Sequence, residues 1–316
     1  MKLISIVTPC YNEAENIEEL YNRVKNTINK NLSNYKYEHI FIDNASTDET
    51  VNILKKLATK DSNVKIIVNS RNFGWMRSPV HAMFQAKGDA IISIVADLQD
   101  PPEMIIKFIS EWENGNDIVL AIKKGSEEHN LMFKIREQYY GLLNKLSETK
   151  IFKNYTGFGL YDKKVIDAIK TMNDPYPFFR GMIAEVGFNV ILLPYSQPKR
   201  VGGITKSNFY SLYDVGILGI INNSKIPLRM AIFLGAFFAI LSFLIGFGYF
   251  IAKLIFWDSM ALGIAPLLIM TSFVFSIMLF FMGILGEYIG AIYTQVLNRP
   301  LVFEKERINM DDENNE

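Results

Sequence analysis

Hydrophobic and polar positions follow two regimes along the chain. Up to about residue 165, short β-branched apolar runs at 3–8, 38–43, 64–68, 90–96 and 117–121 are separated by amphipathic stretches near 14–30, 48–59, 76–87, 102–114 and 131–147. Strands alternating with helices predict a mostly parallel α/β sheet with helices on both faces. Ligands of such sheets bind beyond the carboxyl ends of the strands. The candidate chemistry therefore lies in Thr8 to Glu13, Asp43 to Asp48, Asn69 to Gly74 and Asp97 to Pro102, and three of these four segments carry a carboxylate.

The second regime begins after Arg229, where charge disappears. Met230 to Ala252 and Ser259 to Gly286 carry none, and each exceeds the roughly 20 residues that span a bilayer. Globular helices of this length rarely lack a polar face. The pattern predicts two transmembrane helices, about 230–252 and 262–286, joined as a hairpin. Recurrent Gly, Ala and Ser suit close helix contacts and leave room for a homo-oligomer through the hairpin. Lys206, Lys225 and Arg229 precede the first span and Arg299, Lys305 and Arg307 follow the second, whereas the loop offers only Lys253. This bias predicts both termini on the cytoplasmic side. Before the first span, Tyr210, Tyr213, Ile217, Leu218 and Ile220 mix with Asp214, Asn222 and Lys225, as expected of an amphipathic helix lying on the membrane. Beyond the second span the chain turns polar and ends on an acidic run, Asp311 to Glu316, expected to be disordered. The resulting division is 1–204, 205–228, 229–290 and 291–316.

Composition narrows the chemistry. The 316 residues carry 33 basic and 33 acidic side chains, which gives no reason to expect nucleic acid. Cys10 is the only cysteine, so no intramolecular disulfide forms, in keeping with a reducing compartment. Leu3 to Thr8 is too short for a signal peptide and reads as a first strand. No glycine-rich dinucleotide or P-loop pattern occurs. His39, His81 and His129 are isolated from one another, which disfavours zinc. The hard oxygen ligands that remain favour Mg²⁺ or Mn²⁺.

Thr8 to Glu13, Asp43 to Asp48, Ala96 to Glu103, Arg200 to Lys206, and Gly286 to Gly290 with Arg299-Pro300 together resemble segments of family 2 glycosyltransferases of the GT-A (Rossmann-like) fold, in the branch of dolichyl-phosphate mannose synthases and bacterial polyprenyl-phosphate glucosyltransferases. Thr8-Pro9-Cys10-Tyr11-Asn12-Glu13 is similar to P-x-Y-N-E, and Asp43 with Ser46-Thr47-Asp48 to the D-D-G-S-x-D turn, with Asn44 and Ala45 in place of D-G. Ala96 to Glu103 resembles D-A-D-L-Q-x-P-P-E, Arg200 to Lys206 resembles R-x-x-G-x-S-K, and Gly286 to Gly290 followed by Arg299-Pro300 resembles the branch's membrane-exit motif. The resemblance implies that Pro9, Tyr11, Glu13 and Asp43 line the nucleoside and that Asp97 and Gln99 hold the divalent metal that bridges the diphosphate. It also implies that Arg200 and Lys206 clamp phosphate, with Thr205 donating a hydroxyl. Two positions depart from the family. Val95 replaces the first Asp of the D-x-D pair, and Gly157, in Thr156 to Asp162, stands where a catalytic Asp is often proposed.

The expected reaction moves one sugar, with inversion, from a nucleotide-diphosphate sugar to polyprenyl phosphate, with undecaprenyl the expected lipid. It yields a lipid-linked monosaccharide for cell-envelope glycans at the inner membrane. A phosphate monoester is already anionic near neutral pH, so positioning by Arg180, Arg200 and Lys206 can replace a general base. If a base is used, Glu185, set in the apolar run from Phe178 to Phe188, is the candidate; an ion pair with Arg180 is the competing role. Two other functions compete. A processive polysaccharide synthase would carry Q-x-x-R-W, whereas Gln197 to Val201 lacks the Trp. A non-catalytic nucleotide-sugar binding protein would explain Val95 and Gly157.

Overall fold

The first apolar run becomes the centre of one eight-stranded sheet. In the computed structural model, residues 1–123, 152, 154–198, 226–256 and 264–310 are described. The strands are β1 (Leu3–Cys10), β2 (Lys36–Asp43), β3 (Val64–Asn69), β4 (Ala90–Ser93), β5 (Ile118–Lys123), β6 (Tyr155–Asp162), β7 (Val190–Tyr195) and β8 (Glu304–Ile308). They lie in the order β7-β5-β6-β4-β1-β2-β3-β8. Side chains of a strand alternate between faces, and this alternation creates two cores. Ile4, Ile6, Phe41, Ile66 and Ile92 pack beneath α1 (Ile17–Asn31), α2 (Thr50–Lys60) and α4 (Ile105–Glu113). Val7, Ile40, Ile42, Ile67 and Ile91 pack beneath α3 (Gly74–Gln85), α5 (Lys163–Thr171) and α6 (Phe179–Glu185). Each fully buried aliphatic side chain stabilises the fold by about 1.5–3 kcal/mol.

The expected strands are present, and the sheet is mixed. β1 pairs in parallel with β2 and β4, β2 with β3, and β5 with β7. β6 enters antiparallel between β4 and β5, so the fifth predicted strand does not neighbour the fourth. Gly159 permits this entry: a Cβ there would meet the Val119 carbonyl oxygen at 2.6 Å. The run 90–96 pairs only as far as Ser93, after which the Ile94 N–H bonds to the Val7 carbonyl at 3.0 Å and the chain leaves the sheet. The helix expected near 131–147 lies outside the described residues.

The segment after the second apolar helix does not stand apart from the first domain as a tail. Its residues 304–308 form β8, antiparallel to β3. Glu306 bonds Lys55 at 2.7 Å, and the Asn309 amide donates to the Ala58 and Val64 carbonyls, each at 2.9 Å. Glu304 accepts from His81 at 2.5 Å and also pairs with Arg307. Burial raises the Glu304 carboxyl, but the His81 and Arg307 contacts outweigh it and hold the group down to about 2. A depressed carboxylate stabilises above its unfolded value of 4.5 and loses that contribution as pH falls toward about 2. Protection of β8 amides from hydrogen exchange should therefore decline across that window. Glu304→Gln should remove this dependence.

Two long helices complete the chain, α7 (Ile226–Ile255) and α8 (Ile264–Leu297), of 30 and 34 residues. At 1.5 Å per residue they are about 45 and 51 Å long, against about 30 Å of hydrocarbon. Both are long and apolar enough to cross a membrane, and among the described residues none of either apolar stretch is buried in the protein, which suits membrane association. α8 continues past the expected end at 286. Its last turns reach the first domain, where Gln295 donates to Asp174 at 2.8 Å and Asn173 to Asn298 at 3.3 Å. The interfacial segment 205–228 lies outside the described residues up to Ile226, which opens α7.

Candidate active site

Strand register gathers the candidate segments along one edge of the sheet. Cys10 lies opposite Asp43 and Val7 opposite Ser93, so the loops after β1, β2 and β4 emerge side by side. Because β6 runs antiparallel, its first residues join them: Ser93 faces Gly159, and Ile122 faces Tyr155. Tyr195, at the end of β7, lies opposite Lys123. Pro9, Tyr11 and Glu13 are all half-buried at this edge. Glu13 accepts from the Asn16 amide at 2.7 Å, and its N–H bonds Thr50 at 2.9 Å.

Asp43, expected at the nucleoside, is the last residue of β2. It is fully buried and accepts from the Ser46 N–H at 2.9 Å and from the Ser46 hydroxyl. Burial pushes its carboxyl up, against those hydrogen bonds. Asp43 thus holds the turn that carries Ala45, whose φ of 60° is in the left-handed region where the family's glycine would sit without strain. Asp48 anchors the far side of the turn, accepting from the Thr50 N–H at 3.0 Å and the Ala14 N–H at 3.2 Å.

Asn44, the other departure in this turn, has a physical reason. Its Oδ1 accepts from the Asn69 amide at 2.9 Å and the Phe73 N–H at 3.3 Å, while its Nδ2 donates to the Gly74 carbonyl at 3.2 Å. An ionised Asp accepts only and would leave Gly74 without this donor. The amide joins the loop after β2 to the loop after β3, where Arg71 lies over the Phe73 ring at 4.0 Å.

The loop after β4 carries the candidate metal ligands. Val95, Asp97 and Gln99 are half-buried, whereas Ala96, Leu98 and Asp100 between them are buried. The chain turns at Ala96 and Asp97 and Leu98 has φ of 60°, so this is a turn and not the extended segment in which i, i+2 side chains share one side. Asp97 Oδ1 accepts from the Gln99 N–H at 3.2 Å, and Gln99 Oε1 accepts from Gln197 at 3.5 Å. Among the described residues no group of three His, Cys, Asp or Glu converges. One carboxylate and one amide oxygen fit Mg²⁺ or Mn²⁺, which commonly complete their shells with water and substrate phosphate.

Asp100 stands at the unspecified position of the motif from Ala96 to Glu103, to which the sequence assigns no role. It is 2% exposed; its Oδ1 accepts from the Tyr195 hydroxyl at 3.0 Å and its Oδ2 from the Val95 N–H at 3.4 Å. It therefore holds the backbone from which positions 95, 97 and 99 project. The available sequence signal was a second carboxylate immediately before Pro101-Pro102.

The remaining predictions divide. Arg180 is half-buried in α6 on the side of the site. Glu185, although set in the apolar run from Phe178 to Phe188, is exposed at the end of that helix. Arg200, Thr205 and Lys206 lie outside the described residues.

The protein-family model for "Glycosyl transferase family 2" matches residues 5–170, from the middle of β1 into α5. The chain belongs to glycosyltransferase family 2. Relatives extend the match over nearly the whole of this glycosyltransferase. It is 37% identical over 298 residues to the SfII prophage-derived bactoprenol glucosyl transferase of Shigella flexneri, covering 94% of this chain and 96% of the relative. It is 35% identical to the uncharacterized glycosyltransferase YkcC of Bacillus subtilis, covering 94% and 91%. Among solved structures, the mannosyltransferase PcManGT of Pyrobaculum calidifontis is 16% identical with a TM-score of 0.47, covering 93% of this glycosyltransferase and 86% of that chain.

Proposed function

We propose that this glycosyltransferase transfers a single sugar from a nucleoside-diphosphate sugar to polyprenyl phosphate at the cell membrane, with inversion. The observation that carries the reading is the 94% coverage by a bactoprenol glucosyl transferase, which takes in the catalytic domain and both apolar helices together. Pro9, Tyr11 and Glu13 line the nucleoside, over the turn that Asp43 holds. Asp97 and Gln99 hold Mg²⁺ or Mn²⁺ at the donor diphosphate; the ion supplies neutralisation of charge on the leaving nucleoside diphosphate. Arg180, Arg200, Thr205 and Lys206 orient the phosphate of the lipid, which attacks the anomeric carbon as an anion and needs little deprotonation. Gly157 is compatible with such a reaction because it does not depend on a protein base, and Val95 because diphosphate oxygens and water can complete the shell of the ion.

The sheet supports a membrane hairpin. β3 precedes both long helices and β8 follows them, yet the two strands pair. If α7 and α8 both cross the bilayer, the chain must return to the side it left. The basic flanks at Arg229, Arg299, Lys305 and Arg307 favour the cytoplasm for that side. Cysteine labelling from the outside should reach Ser259→Cys and not Lys305→Cys. Labelling of both from one side would exclude the hairpin.

Membranes containing the full chain, given radiolabelled nucleotide-sugar and undecaprenyl phosphate, should yield a lipid carrying one sugar. A polymer would instead identify a processive synthase, and the absence of any product across uridine and guanosine donors would overturn the reading.

A further inference from the structure

The two family departures, Val95 and Gly157, lie far apart in sequence yet line one cavity of about 150 Å³ between α3 and α6, beneath the ends of β1 and β4. Trp75, Met83 and Phe178 form its walls, and the cation is Arg180. Gly157 has φ of +111°, and no atom lies within 4 Å of the place a Cβ would take, so the start of β6 is open here. Helix α3 and the segment before α6, which both contribute to this cavity, are also tied to the end of α8 and the residues after it. Asp174, shortly before Phe178, accepts from Gln295 at 2.8 Å, and Arg77, in the same helix as Met83, donates to the Pro300 carbonyl at 2.6 Å. Trp75 and Tyr176 are 56% and 38% exposed beside it.

We infer that this cavity receives the phosphate-proximal isoprene unit of a polyprenyl phosphate, with the phosphate held at Arg180, and that Val95 and Gly157 set this specificity. The inference rests on the proposed function and locates its acceptor. Three physical arguments select the occupant. A sugar ring here would desolvate hydroxyls against mostly apolar walls, at about 1–3 kcal/mol for each one left unpaired, whereas an isoprene unit loses nothing. A lipid phosphate carries between one and two negative charges near neutral pH, and a carboxylate at 95 or 157 would repel it. The contacts of Asp174 with Gln295 and of Arg77 with Pro300 tie the elements around the cavity to the end of the long apolar helix α8, the element beside which a prenyl chain would lie.

The test uses the full chain in detergent with a benzophenone-bearing prenyl phosphate as photoprobe. Crosslinks should fall within residues 75–83 and 177–180, and citronellyl phosphate should compete while inorganic phosphate at equal concentration should not. Val95→Asp should raise the half-competing concentration of citronellyl phosphate about tenfold to a hundredfold, as expected for like charges several ångströms apart in a partly buried site. Val95→Asn, of the same shape without the charge, should stay within about threefold of wild type, since only the repulsion has been removed. Crosslinks elsewhere with normal sugar transfer would overturn the inference and leave the proposed function standing. Labelled cavity residues without sugar transfer to any lipid would overturn the function and leave a prenyl-phosphate site. Equal competition by inorganic phosphate, or a Val95→Asp effect confined to the donor KM, would also overturn the inference.

Discussion

Asp97→Ala should lower turnover by about 10³-fold or more and remove its stimulation by Mn²⁺ or Mg²⁺. The magnitude follows from what remains. Position 95 offers a valine, Gln99 offers a neutral amide, and no third acidic or imidazole ligand converges among the described residues. Asp97 is thus the only formal negative charge facing the ion from this loop. Without it, the ion would be held by the donor diphosphate and one amide oxygen. Asp97→Asn keeps the shape and an oxygen, so it should be intermediate, with its main effect on the metal concentration for half-maximal rate. Thermal stability should change little, because the side chain is half-exposed and its hydrogen bond to the Gln99 N–H is local. Initial rates against metal concentration, at saturating donor and lipid, are the deciding measurement. Wild-type rates for Asp97→Ala in excess chelator would remove the metal from the mechanism.

Asp100→Ala should be the most damaging single change for the loop as a whole, destabilising the protein by about 2–5 kcal/mol. It would leave the Tyr195 hydroxyl and the Val95 N–H without their acceptor inside the protein. Because Val95 begins the segment that aims Asp97 and Gln99, the variant should also need more metal for activity than wild type. The same residue gives a pH signature. Burial pushes its carboxyl from 3.8 up to about 7; hydrogen bonds from Tyr195 and Val95 oppose the rise, Asp97 adds to it and Lys123 opposes it. The folded state therefore keeps a proton that the unfolded chain has released. The associated stability is fully present below about pH 3.8 and is lost as pH rises through about 7. Asp100→Asn should flatten that slope in thermal melts between those limits. A slope unchanged in Asp100→Asn would assign it to another group.

Apolar periodicity located β1, β2, β3, β5, the first long helix and the start of the second to within a few residues because those signals are local. A buried strand must be apolar along its own length, and a helix that faces lipid must be apolar all round. The candidate segments were legible for a related reason: in a sheet of this kind chemistry collects in the loops that leave the strand ends, so the candidates Asp97 and Gln99 could be named from one motif. Tertiary structure decided the rest. Gly157 and Gly159 hid β6 as a strand, and only the approach of Val119 shows why the second must be glycine. Glu304 to Ile308 is too polar to announce a strand; it forms one because β3 offers an edge, and because Lys55 and His81, more than 200 residues away in sequence, bond its carboxylates. Burial divided the carboxylates in the same way. Asp43 and Asp100 are enclosed by partners from neighbouring strands and loops, while Glu185, set among apolar residues in the sequence, is exposed at the end of a short helix. Periodicity reports the face a residue occupies within its own element, but its solvation and charge state depend on which distant element is packed against that face.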